Sequence, residues 1–146
     1  MNPPRDLQTR PLGNPELSPE AIFKDRFSGE MGVATKIALL VKNMRAKIIL
    51  QVVTPLVIGR LDSENESKSF IDLNPFGAEL LGVSRRHLRL WAENNQLFIE
   101  DLASTNGTLF NGVRLPKNSP QRIHHGDQII LGGFEIEIEF IVDMLG

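Results

Sequence analysis

Three short polar segments carry the side chains of this chain that are suited to chemistry. They are Gly59-Arg60, Ser84-Arg85-Arg86-His87 and Ser104-Thr105-Asn106-Gly107-Thr108. Guanidinium groups and hydroxyls together can bind an anion, because the first supply positive charge and N–H donors and the second supply O–H donors. Ser84, followed three residues later by His87, also fits a nucleophile with its general base, as in a hydrolase. The segments therefore indicate either an anion-binding site or a catalytic site.

The composition limits what such a site can contain. The 146 residues include no cysteine and three histidines, which excludes disulfides, thiolate zinc sites and cysteine nucleophiles. We therefore expect neither a metal nor a cofactor. The net charge of -2 disfavours binding to nucleic acids or membrane surfaces, so an anion site has to be local. No apolar run approaches the roughly 20 residues of a membrane span, and no secretory signal is visible, so we expect a cytoplasmic protein.

The length suits one domain of roughly 100 residues with an extension. Residues 1–45 form the predicted N-terminal extension, whose first 19 residues include five prolines and favour a flexible, partly disordered tail. Ser18-Pro19-Glu20 is typical of a helix start. The segment 36–44 fits either a helical stripe or a strand.

From residue 46 to residue 143 the pattern changes to short strands separated by turn signals, with no convincing long helix. Asn111-Gly112 predicts a two-residue β-hairpin, because both turn positions need a positive φ. Residues 134–140 alternate apolar side chains with glutamates, as in a strand with one wet face. The sequence therefore predicts an all-β sandwich.

Taken in order and spacing, Gly59-Arg60, Ser84-Arg85-Arg86-His87, Ser104-Thr105-Asn106-Gly107 and Gly126-Asp127 resemble the forkhead-associated (FHA) domain. The resemblance covers about residues 46–143. It implies a twisted antiparallel β-sandwich of about eleven strands (FHA/SMAD-like) that binds phosphothreonine peptides through loops at one end. A phosphothreonine carries roughly -1.5 to -2 charges and three acceptor oxygens, and the groups that it needs are present.

The resemblance also implies a role for each candidate binding residue. Arg60 and Ser84 match the arginine and the serine that contact the phosphate. Arg85 matches a side chain that contacts the phosphate or the third residue after the phosphothreonine. Thr105 matches a second hydroxyl and backbone donor to the phosphate, and Asn106 matches the residue that hydrogen-bonds the peptide main chain.

Three further residues are expected to support the site. Gly59 lets the backbone turn before the arginine, and Gly107 supplies a positive φ in its loop. In the family the histidine matched by His87 is buried and hydrogen-bonds the loop that presents the serine. One position departs from some relatives, because Gly82 stands where they carry a basic residue that assists at the phosphate.

We therefore expect a non-enzymatic, phosphothreonine-dependent adaptor in Ser/Thr kinase signalling, in keeping with a bacterial regulator. Its partner would be a phosphothreonine-containing protein or peptide, either a kinase substrate or the kinase itself. The alternative is a phosphate-independent scaffold or oligomerisation module that uses the same loops or the apolar segment 20–45. A hydrolase using Ser84 and His87 has less support, because no third group that orients the histidine and no nucleophile-elbow pattern is apparent.

The N-terminal extension contains one candidate phosphosite. Thr9 is followed at the third position by Leu12, and FHA relatives commonly read the third residue after the phosphothreonine. Phosphorylated Thr9 would then be the domain's own ligand, in cis or between two copies. The alternative is an unmodified tail.

Overall fold

The computed structural model describes residues 35–62 and 69–141, which fold into two facing β-sheets with eleven strands. The six-stranded sheet has the order β2-β1-β11-β10-β7-β8, with β1 Thr35–Val41, β2 Ala46–Val52, β7 Thr108–Phe110, β8 Val113–Arg114, β10 Gln128–Leu131 and β11 Phe134–Phe140. The five-stranded sheet has the order β4-β3-β5-β6-β9, with β3 Leu56–Gly59, β4 Phe70–Asp72, β5 Arg86–Glu93, β6 Gln96–Asp101 and β9 Gln121–Ile123. The predicted all-β sandwich is confirmed.

The core lies between the sheets and follows the alternation of the strands. In β11, Phe134, Ile136 and Ile138 are buried, while the intervening glutamates lie on the outer face. Ile37 and Leu39 of β1 point into the same core and are fully buried. Period-two patterning thus separates an apolar face from a polar one, as a half-solvated sheet requires.

Segment 36–44, for which the sequence allows a helix or a strand, contributes residues 36–41 to strand β1. It pairs with β2 on one side, as in Leu39 opposite Ile48, and with β11 on the other, as in Leu39 opposite Ile138. Because β1 is bonded on both sides, it is an interior strand of the sheet. The predicted boundary between residues 45 and 46 therefore falls at the end of the β1–β2 turn, and the sandwich begins before it. The predicted tail, the helix start at residue 18 and Thr9 lie outside the described residues.

Turns and pairing agree with the remaining predictions, with one exception. Asn111 and Gly112 have φ of 50° and 87° and join β7 to β8, as the hairpin signal predicts. The predicted antiparallel pairing holds for the described strand pairs except β3 and β4, which run parallel. In that pair, Val57 lies opposite Phe70 and Gly59 lies opposite Asp72.

One end of the sandwich collects the polar segments found in the sequence. Strand β3 ends there at Gly59, β5 begins at Arg86, and the loop of residues 102–107 joins β6 to β7. The turn between β10 and β11 closes on the same end, since Gly132 N–H donates to Gly107 O and Gly133 N–H donates to Leu81 O. In the part of the chain that the structure describes, no helix is long and apolar enough to cross a membrane.

Candidate functional site

Arg60 follows β3 and is anchored on both its backbone and its side chain. Its backbone N–H donates to Arg85 O at 2.9 Å, and its Nε donates to Val83 O at 2.6 Å. Its two terminal nitrogens make no hydrogen bond with residues 35–62 or 69–141. A half-buried guanidinium held at Nε in this way presents its remaining N–H donors in one orientation.

Ser84 and Thr105 join the two loops that carry the predicted hydroxyls. Thr105 N–H donates to Ser84 Oγ at 3.0 Å. Because a hydroxyl holds one donor and two acceptor positions, this bond leaves the Ser84 O–H proton available to a ligand. The Thr105 amide, by contrast, already has a partner in this structure.

Asn106 lies next to Thr105 and binds a third loop. Its side-chain Nδ2 donates to Gly82 O at 3.0 Å, and the side chain is exposed. Gly82 has a φ of 79°, and a Cβ at this position would lie 2.6 Å from Asn106 Nδ2. Glycine at position 82 therefore leaves the space in which the asparagine docks.

His87 is fully buried beneath these loops, as the resemblance implied. Its Nδ1 accepts a hydrogen bond from Ser84 N–H at 3.0 Å, so the ring proton resides on Nε2. Nε2 lies 3.0 Å from Gly107 O and 3.1 Å from Thr108 Oγ1. Burial lowers the pKa of His87, which keeps the imidazole neutral.

Asp101, the last residue of β6, holds the loop that follows it. Its Oδ1 accepts from Ser104 Oγ and from Thr108 Oγ1, both at 2.6 Å, and its Oδ2 accepts from Ser104 N–H at 3.0 Å. Burial alone would raise the pKa of Asp101, but the hydrogen bonds from Ser104 and Thr108 outweigh it and lower the pKa. The carboxylate is thus a charged, fully buried support of the loop of residues 102–107.

The positions of Ser84, His87 and Asp101 bear on the catalytic interpretation. A carboxylate does lie near the histidine, since Asp101 Oδ1 is 3.8 Å from His87 Nε2, although none was apparent in the sequence. The lone pair of Nδ1, however, is occupied by the backbone amide of Ser84. The imidazole is therefore arranged to position the serine backbone, without an open nitrogen to accept a proton from the Ser84 hydroxyl.

Arg85 is exposed and paired with an acidic residue. Its Nε lies 3.1 Å from Asp62 Oδ2, and the exposed fractions of the two side chains are 70% and 44%. An exposed ion pair of this kind contributes about 0–1 kcal/mol, so a ligand anion can compete for the arginine.

Two glycines shape the site. A Cβ at Gly59 would lie 2.0 Å from Arg85 O, so this position needs glycine for the close approach of β3 to the loop before β5. Gly107 has a φ of 82°, in the left-handed region that glycine favours. Its N–H donates to Ser104 Oγ and its carbonyl accepts from Gly132.

Comparison with known proteins bears on this arrangement. The family model for the FHA domain matches residues 56–132, which span β3 to the end of β10 and contain Arg60, Ser84, Arg85, Thr105 and Asn106. The chain belongs to the FHA family.

Individual relatives and solved structures that resemble this chain are also FHA proteins. An FHA domain-containing protein of Arabidopsis thaliana is 36% identical over 63 residues, which are 42% of this chain and 16% of the relative. This chain thus matches a small part of that longer protein. A solved FHA domain studied for phosphothreonine-dependent interactions is 26% identical, with a TM-score of 0.56 over 75% of this chain and 100% of that one. The FhaA FHA domain, solved in complex with the intracellular domain of Rv3910, is 27% identical, with a TM-score of 0.53 over 70% of this chain and 99% of that one.

The FHA fold thus brings Arg60, Ser84, Arg85, Thr105 and Asn106 to one end of the sandwich. Each of the five contacts another loop of that end. Arg60 donates to Val83 O, Arg85 pairs with Asp62, and Asn106 donates to Gly82 O. Ser84 and Thr105 are joined to each other. Their roles toward a peptide stay a prediction.

Sequence reasoning missed the acidic members of the FHA site. Asp101 carried a usable signal, because it occupies the inward phase of β6 after Leu97 and Ile99, where an acid needs partners. The pairing of Asp62 with Arg85 carried no signal in the sequence, since it joins residues on different loops. The exposed His125 accepts a hydrogen bond at its Nδ1 from Phe140 N–H at 2.9 Å.

Proposed function

We propose that this FHA domain is a phosphothreonine-dependent peptide-binding module. The observation that carries the proposal is the convergence of the Arg60 guanidinium, held by Val83 O, with the Ser84 hydroxyl, held by the Thr105 amide. Together they offer a fixed positive charge and an O–H donor within one rigid loop cluster. A phosphate dianion is the ligand that such a pair binds best.

The other predicted residues of the site then contact the phosphate and the peptide around it. Arg85 adds a second guanidinium when the ligand displaces Asp62, and Thr105 adds its hydroxyl. Asn106 hydrogen-bonds the peptide main chain. The γ-methyl group of threonine is expected to discriminate against phosphoserine by roughly 1–3 kcal/mol, the usual contribution of one buried methyl group.

Two comparisons support a binding role. The solved domain at 26% identity is described for phosphothreonine-dependent FHA interactions, and the FhaA domain is bound to an intracellular domain of another protein. By the same logic the partner of this chain is a phosphothreonine protein, either a Ser/Thr kinase substrate or the kinase. The module would then act as an adaptor in kinase signalling in the cytoplasm. The bacterial source inferred from the sequence stays a prediction.

The proposal assigns no catalytic activity to the site. Its physical support is the Nδ1 atom of His87, which accepts from the Ser84 amide and is not free to deprotonate the Ser84 hydroxyl. The proposal includes neither a cofactor nor a metal.

Self-binding through phosphorylated Thr9 is a further part of the proposal. It rests on sequence alone, from Leu12 at the third following position. A Thr9→Ala variant treated with a Ser/Thr kinase would keep binding an added phosphopeptide, whereas the phosphorylated wild-type chain would lose that binding or form dimers.

The experiment that tests the proposal is a binding titration of the full-length chain with degenerate peptide libraries by fluorescence anisotropy. The libraries carry phosphothreonine, phosphoserine or threonine at the fixed position. We expect micromolar binding, about -8 kcal/mol, to the phosphothreonine library alone. Equal binding to all three libraries, or capture of a partner that survives phosphatase treatment, would favour the phosphate-independent scaffold.

A further inference from the structure

The guanidinium of Arg114 lies against the backbone of the loop that carries Thr105 and Asn106. Arg114 is the last residue of β8 and pairs with Leu109 of β7. A Cβ on Gly107 would lie 1.8 Å from Arg114 Nη1 and 2.8 Å from its Cζ. The charged end of Arg114 thus occupies the space that a side chain at position 107 would fill.

This location places a cation beside the proposed phosphate site but outside it. Gly107 directly follows Asn106, whose side chain binds Gly82, and Thr105 is bonded to Ser84. Consecutive Cα atoms are about 3.8 Å apart, so the Cα atom of Gly107 lies within about 7.6 Å of that of Thr105. An extended peptide advances about 3.3–3.6 Å per residue. A side chain about two or three residues from the phosphothreonine is therefore at the right distance to meet Arg114.

Arg114 also differs from the other arginines of the loops in its pairing. Arg60 donates to Val83 O, and Arg85 pairs with Asp62. The side chain of Arg114 is exposed and makes no hydrogen bond or ion pair with residues 35–62 or 69–141. A guanidinium that lies against the Gly107 backbone and keeps its N–H donors unused can form a two-pronged contact with a carboxylate.

We propose that Arg114 is a specificity-determining residue that selects an acidic side chain, Asp or Glu, near the phosphothreonine of the bound peptide. This inference rests on the proposed function and adds the chemistry of the preferred partner. The phosphate site supplies most of the affinity, and Arg114 distinguishes acidic from neutral flanking sequences.

The test uses pairs of phosphothreonine peptides that differ only by Glu or Gln at one of the flanking positions, up to four residues on either side. Their affinities for the full-length chain are measured by fluorescence anisotropy. At one position we expect the Glu peptide to bind about two- to fivefold more tightly than the Gln peptide, which is the usual range for an exposed ion pair. Raising the salt concentration to about 1 M, where the Debye length is about 3 Å, should shrink the difference.

Three variants complete the test. Arg114→Gln should abolish the Glu preference and leave the affinity for the Gln peptide unchanged. Lys36→Gln removes the same charge from an exposed position at the far end of β1 and should keep the preference. Arg114→Glu should reverse it in favour of a Lys peptide, a change of sign that loss of packing alone would not produce.

Two results would overturn the inference in distinguishable ways. If every phosphothreonine peptide binds but Glu and Gln peptides are equal at all positions, or if the preference survives in Arg114→Gln, the role of Arg114 is wrong and the proposed function stands. If no phosphothreonine peptide binds the folded wild-type chain, both the role of Arg114 and the proposed function are wrong.

Discussion

The hydroxyl oxygen of Ser84 accepts a hydrogen bond from the backbone amide of Thr105 at 3.0 Å, across 21 residues of sequence. This bond joins the loop before β5 to the loop after β6. The same Ser84 is held through its own amide by the buried His87. These two loops are therefore held together by bonds within the protein, and a ligand of the proposed site would not need to order them.

Replacing Arg60 with alanine should reduce the affinity for phosphothreonine peptides by at least tenfold. Hydrogen bonds to charged groups are worth about 1.5–3 kcal/mol each, and Arg60 is the half-buried guanidinium of the site. Arg60→Lys should give an intermediate loss, because lysine keeps the charge but lacks the planar fork. Isothermal titration calorimetry measures both, with Lys36→Ala as the matched control. Wild-type affinity in Arg60→Ala would remove Arg60 from the phosphate site.

Ser84→Ala should have two separate effects. It removes the acceptor of the Thr105 amide, so hydrogen exchange at Thr105 N–H should accelerate even without ligand. It also removes an O–H donor to phosphate, at a cost of about 1.5–3 kcal/mol in binding. Arg85→Ala should weaken binding without changing the exchange of the Thr105 amide. Unchanged exchange in Ser84→Ala would show that this bond does not hold the loop.

Asp101→Asn should destabilise the domain far more than the neighbouring change Glu100→Gln. The amide that replaces one carboxylate oxygen of Asp101 would face donors from Ser104 or Thr108 and leave them unsatisfied, at about 1–3 kcal/mol. Glu100 makes a partly exposed ion pair with Arg89 at 3.5 Å, worth about 0–1 kcal/mol. Urea unfolding of both variants measures the difference. Equal loss in the two variants would contradict the supporting role of Asp101.

As the pH falls, the stability of the fold should decrease first because of His87 and then, at lower pH, because of Asp101. The pKa of His87 is lowered in the folded state, so the unfolded chain binds more protons as the pH falls below about 6.5. The contribution of His87 to the free energy of unfolding is therefore complete above that pH and decreases below it. The pKa of Asp101 is lowered too, which adds a second loss below about pH 4. Histidine side-chain NMR over pH 8 to 4.5 should show one imidazole with its proton on Nε2 that stays neutral below pH 6.5. A His87 that titrates at or above 6.5 would contradict this.

Much of the fold could be predicted because its signals are local. Asn111-Gly112 needs two positive φ angles, and residues 134–140 alternate with period two, so each indicates its structure without reference to the rest of the chain. Residues 36–44 are different, since their apolar spacing suits both a helix and a strand. Pairing with β2 and β11 makes this segment a strand. Such pairing depends on distant parts of the chain, which a short window of sequence does not include.

The candidate site likewise contains residues that local motifs predict and contacts that they do not. Arg60, Ser84 and Thr105 stand in short motifs whose order along the chain is informative. The contacts Asp62 with Arg85 and Arg114 with Gly107 join residues from separate loops and strands, and no spacing rule links them. Asp101 lies between these cases, because its inward phase in β6 predicts burial but does not name its partners.

NMR mapping on the ¹⁵N-labelled full-length chain shows whether the loops at one end of the sandwich bind phosphothreonine. A phosphothreonine peptide should shift the amide signals of residues 60, 84, 105 and 106 in a saturable way, and its unphosphorylated counterpart should leave them in place. Saturable binding whose shifts fall on the outer sheet faces, or equal shifts with the unphosphorylated peptide, would show that these loops do not form a phosphothreonine site.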